Sequence, residues 1–323
     1  MSILAGIDIG TNTVRLLIAD VKDKYNFREI RSERRITRLG EGLIENRRLL
    51  PSAEERTIFV LKEFWEILKG YPVEALTAVA TSAVREAENG KEFVERIKVE
   101  TDFDIEIISG DEEARRTFLG VLAGLNLSPL SSPLWGEGRV RGNLLIMDIG
   151  GGSTEFIVSK NAEVLSSIST CLGVVKLTER FVKSEPLTDK ELEGLKNAIE
   201  KEIKGLKDSL NSPANAAFVG TAGTITTLAA IDQNLTLYNP LCINNYILKK
   251  KSVDRIFDNL KSMTIEERLN IPALEKGRED LIIAGTSIVL SVMEEFGFSE
   301  MTVCDYGLRE GIVIDLYNKT FNL

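Results

Sequence analysis

Histidine is missing altogether from the 323-residue chain. Its absence removes Ser-His-Asp and Cys-His nucleophile pairs, histidine-ligated zinc and an imidazole general base. Cysteine is scarce, and Cys171, Cys242 and Cys304 stand alone with no Cys-x-x-Cys pair. That excludes a disulfide framework and a thiolate metal site, and such residues read as buried small side chains in a reducing compartment. Long apolar runs are lacking too. The two longest uncharged stretches, 117–136 and 209–231, are interrupted by Pro129, Pro133, Asn211, Pro213 and Gly220, so neither reads as a membrane span. The opening Met1-Ser2-Ile3-Leu4-Ala5-Gly6-Ile7-Asp8 has no cationic segment before its apolar run, so no signal peptide is expected and the predicted location is cytoplasmic. Basic residues are outnumbered, 40 Lys+Arg against 49 Asp+Glu, for a net charge of −9. A general nucleic-acid binder would show the opposite balance. Chemistry here is left to carboxylates, backbone amides, arginine or lysine, and a hard metal ion.

What is present is an ordinary globular composition, 43% hydrophobic and 28% charged, in a chain long enough for two domains. An apolar run at 3–9, a polar turn at Gly10-Thr11-Asn12 and a second run at 14–19 predict strand, tight turn, strand, with a further strand at 27–36. Helical spacing at Ile58, Leu61, Phe64, Trp65 and Leu68 predicts a helix over 52–68, with Ser52 as its N-cap. A strand at 73–80, helices at 82–87 and 93–97 and a short strand at 105–108 follow. Ser109-Gly110-Asp111-Glu112 reads as a capping box opening a helix to about Leu125. The Pro-, Gly- and Ser-rich segment 128–142 has no hydrophobic period and reads as a linker between domains 1–127 and 143–305, with a C-terminal helix from about 306 packing back on the first. After the linker the opening pattern returns at a constant offset of 140. Asp148-Ile149-Gly150 matches Asp8-Ile9-Gly10, and Ser153 matches Thr13. Helices are predicted at 174–181, 189–210, 225–230, 253–260, 281–296 and 308–317, with strands at 144–148, 155–158 and 301–303. An internal repeat of alternating strands and helices predicts an α/β protein of two related domains.

Each repeated turn places an aspartate at the end of a buried strand, followed by small residues. Successive amides in such a turn form an anion nest. A third loop, Gly220-Thr221-Ala222-Gly223-Thr224, runs directly into a helix and adds a helix N-terminus. Candidate phosphate contacts are therefore Thr11, Asn12, Gly150, Gly151, Gly152, Ser153, Thr154, Gly220, Thr221, Ala222, Gly223 and Thr224. Acidic residues beside a phosphate site call for a cation, and Mg²⁺ takes one or two carboxylates, waters and phosphate oxygens. Asp8, Asp148 and Glu155 are the candidate ligands, with Mn²⁺ as a substitute metal. Arg31, Arg34, Arg35 and Arg38 form a local basic cluster suited to an extended polyanion, Arg38 being its strongest phosphate candidate.

These loops resemble the phosphate-binding loops of the actin, sugar-kinase and heat-shock ATPase superfamily. The whole chain more narrowly resembles the exopolyphosphatase/guanosine pentaphosphate phosphatase (Ppx/GppA) family, through Thr37-Arg38-Leu39-Gly40-Glu41-Gly42, Ala80-Thr81-Ser82-Ala83-Val84-Arg85, Ile108-Ser109-Gly110-Asp111-Glu112-Glu113-Ala114-Arg115, Leu172-Gly173-Val174-Val175-Lys176-Leu177 and Asp305-Tyr306-Gly307-Leu308-Arg309-Glu310-Gly311. The resemblance implies two ribonuclease-H-like (actin-like ATPase) domains with a central interdomain cleft. It further implies Glu113 as general base, Arg85 as a phosphate-holding arginine, and Asp148 and Glu155 at the metal site.

The activity expected from this is metal-assisted release of the terminal phosphate of polyphosphate or guanosine pentaphosphate. No nucleic acid and no membrane are expected as partners, and a homodimer is the assembly to test. Two other readings use the same loops. One is a small ATP-dependent kinase of the superfamily, the other a non-enzymatic sensor of alarmones or polyphosphate. The carboxylates Asp8, Glu113, Asp148 and Glu155 weigh against the sensor, since a pure polyanion binder gains nothing from them.

Overall fold

A computed structural model of the chain describes residues 2–23, 26–126, 135–136, 139–140, 142–211 and 215–321. The chain forms two compact units, one of Met1–Ala123 with Tyr306–Leu323 and one of Gly124–Asp305.

The first unit is built on five strands: β1 (Ser2–Ile9), β2 (Thr13–Asp23), β3 (Asn26–Ile36), β4 (Ala75–Ala80) and β5 (Ile105–Ile107). Their order is β3-β2-β1-β4-β5, with β1, β2 and β3 antiparallel and β4 and β5 parallel to β1. Helices cover both faces, which is why β1 reads as an almost unbroken apolar run. Ala5, Ile7 and Ile9 share a core with Ile58, Leu61 and Phe64 of the helix Pro51–Leu68 and with Phe93 and Ile97 of the helix Gly90–Thr101. Leu4 faces the other way, onto Val313 and Ile314 of the C-terminal helix Leu308–Phe321. Ser52 is not the N-cap of the helix Pro51–Leu68. Leu50 holds that position without a side-chain bond, and Pro51 opens the helix because its fixed φ and missing N–H suit the first turn.

Two helices that flank the sheet approach each other unusually closely. A β-carbon on Gly120 of the helix Gly110–Asn126 would lie 1.9 Å from the Gly307 carbonyl oxygen, and one on Gly311 would lie 1.7 Å from that of Arg116. Ionic contacts reinforce the junction. Arg115 and the fully buried Arg116 both reach Asp315 of the C-terminal helix, and both also donate to Glu112.

The segment 128–142, read as a linker, lies mostly outside the described residues. Its described part is a two-residue ladder of β6 (Trp135–Gly136) with β7 (Arg139–Val140). The second unit then repeats the first. Its strands are β8 (Asn143–Ile149), β9 (Thr154–Lys160), β10 (Glu163–Thr170), β11 (Ala217–Thr221), β12 (Ile247–Lys249) and β13 (Glu300–Val303). They are ordered β10-β9-β8-β11-β13-β12, again with three antiparallel strands followed by two parallel to the central one. Only β12 is extra, pairing antiparallel with β13. Each unit is therefore a ribonuclease-H-like α/β layer structure. The predicted helix at 189–210 is two helices, Asp189–Ile203 and Leu206–Leu210, broken where Gly205 takes φ 86°. Among the described residues no helix is long and apolar enough to cross a membrane.

Candidate active site

The repeat is exact at the level of hydrogen bonds. Gly10 N–H donates to Thr13 O at 3.0 Å, and Gly150 N–H to Ser153 O at 2.9 Å, closing the same turn 140 residues apart. Each turn is then strapped from outside. In the first unit Gly40 N–H donates to Thr11 O at 2.8 Å, and the amides of Thr37 and Arg38 both donate to Asn12 O. Arg38 sits at φ 49°, a left-handed position reached as the segment wraps the turn. In the second unit Val174 and Val175 donate to the carbonyls of Gly150 and Gly151. A β-carbon on Gly173 would fall 2.4 Å from Gly152 Cα, so only glycine lets this strap lie down on the turn.

The two turns differ in charge. Asp8 and Arg15 are cross-strand partners, with their charged ends 4.0 Å apart. The corresponding partners in the second unit are Asp148 and Glu155, both buried carboxylates. Directly opposed like charges in a ladder destabilise it unless something neutralises them. Ser169 Oγ donates to Glu155 Oε1 at 2.8 Å, which covers part of one carboxylate but adds no positive charge. Two facing carboxylates beside a phosphate loop fit an ion such as Mg²⁺, which fills its remaining positions with water and phosphate oxygen. Asp8 faces Arg15 where Asp148 faces Glu155, so the two copies of the turn differ in charge across the same cross-strand pair. Among the described residues, no three His, Cys, Asp or Glu side chains gather as a metal cage.

The third loop follows β11, where Thr221 is in register with Asp148. Ala222 has φ 76° and ψ 172°, a backbone region that is nearly glycine-only, and it precedes the helix Gly223–Asp232 with no side-chain cap. Ala222 has no side-chain oxygen to cap the first amides of this helix, and an uncapped helix N-terminus suits an anion. Arg278 was not foreseen from the sequence. Its guanidinium lies against Gly223, so closely that a β-carbon there would be 1.7 Å from Nη1. Glu275 accepts from Arg278 Nε at 2.7 Å. Arg278 belongs to the mixed-charge run Lys276-Gly277-Arg278-Glu279-Asp280, which by itself reads as a solvated turn.

In the first unit the helix Gly110–Asn126 presents Glu113 from its first turn, nearly buried. Ser109 caps the helix, its hydroxyl accepting from Glu112 N–H at 3.2 Å. Arg85, at the end of the helix Ser82–Glu86, donates through Nη1 to the Ile108 carbonyl at 2.8 Å and to Glu113 Oε2 at 3.1 Å. Arg85 thus aims the Glu113 carboxylate from a fixed backbone anchor. Glu112 has a different task. Its hydrogen bond from Arg115, reinforced by one from Arg116, holds its carboxyl down to about 2 against the opposing effect of burial.

Thr154 is fully buried and gives its hydroxyl to the Leu172 carbonyl, which ties the turn to its strap. Two sequence expectations are revised here. Arg31 and Arg35 are not a cationic track, because both are neutralised by Glu33, and Arg35 by Glu63 as well. Cys171 and Cys242 are exposed, and only Cys304 is buried.

The repeated α/β layout, with the same glycine turn in each copy and an opposed carboxylate pair in the second, defines a two-domain actin-like fold. The model of the Ppx/GppA phosphatase family matches residues 17–320, and the chain belongs to that family. It is 30% identical over 325 residues to exopolyphosphatase 2 of Mycobacterium tuberculosis, covering 97% of this chain and 98% of that protein. It is 33% identical over 322 residues to the bifunctional 3-dehydroquinate synthase/phosphatase of Fusobacterium nucleatum; that match takes in 96% of this chain but only 46% of the longer relative. The crystal structure of the Aquifex aeolicus Ppx/GppA family member superposes with a TM-score of 0.81 at 35% identity, covering 99% of this chain and 98% of that one.

Proposed function

We propose that the protein hydrolyses the terminal phosphoanhydride of inorganic polyphosphate, with guanosine pentaphosphate as the second substrate to test. The observation that carries this reading is the opposed pair of buried carboxylates Asp148 and Glu155 at the second glycine turn, where the first turn opposes Asp8 with Arg15. The exopolyphosphatase name of the Mycobacterium relative supports the choice of substrate.

In this reading the amides of the Gly150 turn and of the Gly220 loop hold the terminal phosphate, with Ser153, Thr221 and Thr224 as hydroxyl donors. Arg278 adds a cation over the helix N-terminus. Glu113, aimed by Arg85, orients water and takes its proton as the water oxygen bonds to phosphorus and the P–O–P bridge breaks. Asp148 and Glu155 would hold Mg²⁺ or Mn²⁺, which supplies charge neutralisation for the phosphoryl group. The test is phosphate release in Mg²⁺ from long polyphosphate, tripolyphosphate, guanosine pentaphosphate and ATP in parallel. Release from polyphosphate without any acceptor is expected. No phosphate release from polyphosphate, with the γ-phosphate of ATP transferred to an added acceptor, would make the protein a kinase. Binding of polyphosphate with no turnover would make it a sensor.

A further inference from the structure

We propose that Arg268 is a positioning residue that fixes Arg278 over the N-terminus of the helix Gly223–Asp232; this rests on reading that loop as a phosphate site. Arg268 ends the short helix Ile265–Arg268 and is completely buried. Its Nη1 donates to the Glu279 carbonyl at 2.6 Å and its Nη2 to the Met263 carbonyl at 2.9 Å. No carboxylate accepts a hydrogen bond from it among the described residues, and Nε has no hydrogen-bond partner there. The residues between, 269–279, form no helix or strand. One side chain therefore joins the start of this irregular segment to its end, one residue past Arg278.

Two further bonds stiffen the same end. Gly277 N–H donates to the Glu279 carboxylate, and Arg278 Nε donates to Glu275. Immediately afterwards Leu281 and Ile282 donate to the Arg278 carbonyl as the helix Ile282–Phe296 begins. Arg278 is thus held between a helix start and a stapled loop, while its guanidinium reaches back to Gly223. A buried guanidinium bonded only to carbonyls is a costly way to close a loop, and an apolar filler of similar volume often does no worse. What the filler cannot do is fix the direction of the Glu279 carbonyl, and with it the point from which Arg278 projects.

A cation placed this way binds substrate and transition state alike, so its displacement falls on KM. The experiment compares Arg268→Lys, Arg278→Ala and the double variant by KM and kcat for phosphate release from polyphosphate. Arg268→Lys should raise KM roughly tenfold with kcat nearly unchanged, and Arg278→Ala should do the same. The double variant should be no worse than Arg278→Ala alone, because Arg268 acts through Arg278. Multiplying effects in the double variant, a loss confined to kcat, or an unchanged KM in either single variant would overturn the proposal. If Arg268→Lys does not fold, Arg268→Met fills a similar volume without donating to the Glu279 carbonyl and carries the same expectation. Calorimetric titration of tripolyphosphate into each protein reads the same coupling without turnover. A catalytically silent wild type would then count against the hydrolase reading while still testing Arg268.

Discussion

At the scale of single residues, Arg15 and Glu155 are where the two halves of the repeat differ in charge, and the proposed metal site follows that difference. Both occupy the same place in their hairpins, opposite Asp8 and Asp148 respectively. Glu155→Gln removes one charge from an opposed pair while keeping an acceptor for Ser169. The Mg²⁺ concentration for half-maximal phosphate release should therefore rise by roughly tenfold or more, and the rise in melting temperature produced by Mg²⁺ should shrink. An unchanged Mg²⁺ titration would remove Glu155 from the metal site. Ala222 gives a second residue-scale expectation. Its left-handed, extended backbone costs on the order of 1–3 kcal/mol, more than glycine loses in unfolded-chain entropy. Ala222→Gly should accordingly raise the melting temperature, and thermal unfolding checks it. The contrast between Arg15 and Glu155 was available in the offset of 140, whereas Arg278 was not: its partner Gly223 is distant in the chain, and no local pattern marks a contact of that kind.

At the scale of elements, the helix that carries Glu113 depends on its junction with the C-terminal helix. Gly311→Ala would drive a methyl into the Arg116 carbonyl, and overpacking of this sort costs roughly 1–3 kcal/mol or more. Urea unfolding should show that loss, with activity falling alongside because the same helix holds Glu113. The Glu112 carboxyl predicts the pH response of this junction. Its folded value, about 2, lies below the ordinary 4.5, so its stabilisation is complete above pH 4.5 and is lost as pH falls toward 2. Glu112→Gln should flatten the stability–pH curve across that window in acid unfolding experiments. Elements with a strong apolar pattern were legible in the sequence: β1 as a nearly unbroken run because it is buried on both faces, and the helix Pro51–Leu68 because it buries one clear face. β10 was not: it is an edge strand, exposed along Glu163, Val164 and Leu165, so no alternation of burial is imposed on it. β12 is three residues long and carries too little pattern to read.

At the scale of the whole molecule, one α/β layout occurs twice and the copies have diverged in charge, in an added edge strand and in the segments that strap their turns. The repeat was visible because both turns need an aspartate followed by small residues, and that demand survives in the sequence. The division of the chain into Met1–Ala123 with Tyr306–Leu323 and Gly124–Asp305 follows from packing across long separations, which local pattern reports only indirectly. The central claim is that Glu113, aimed by Arg85, activates water against a terminal phosphate. The most direct measurement is phosphate release from polyphosphate in Mg²⁺ by wild type and Glu113→Gln, with polyphosphate binding measured on both. Activity should fall on the order of 10²–10⁴-fold in the variant while binding is retained. Equal turnover by the two proteins would contradict the account.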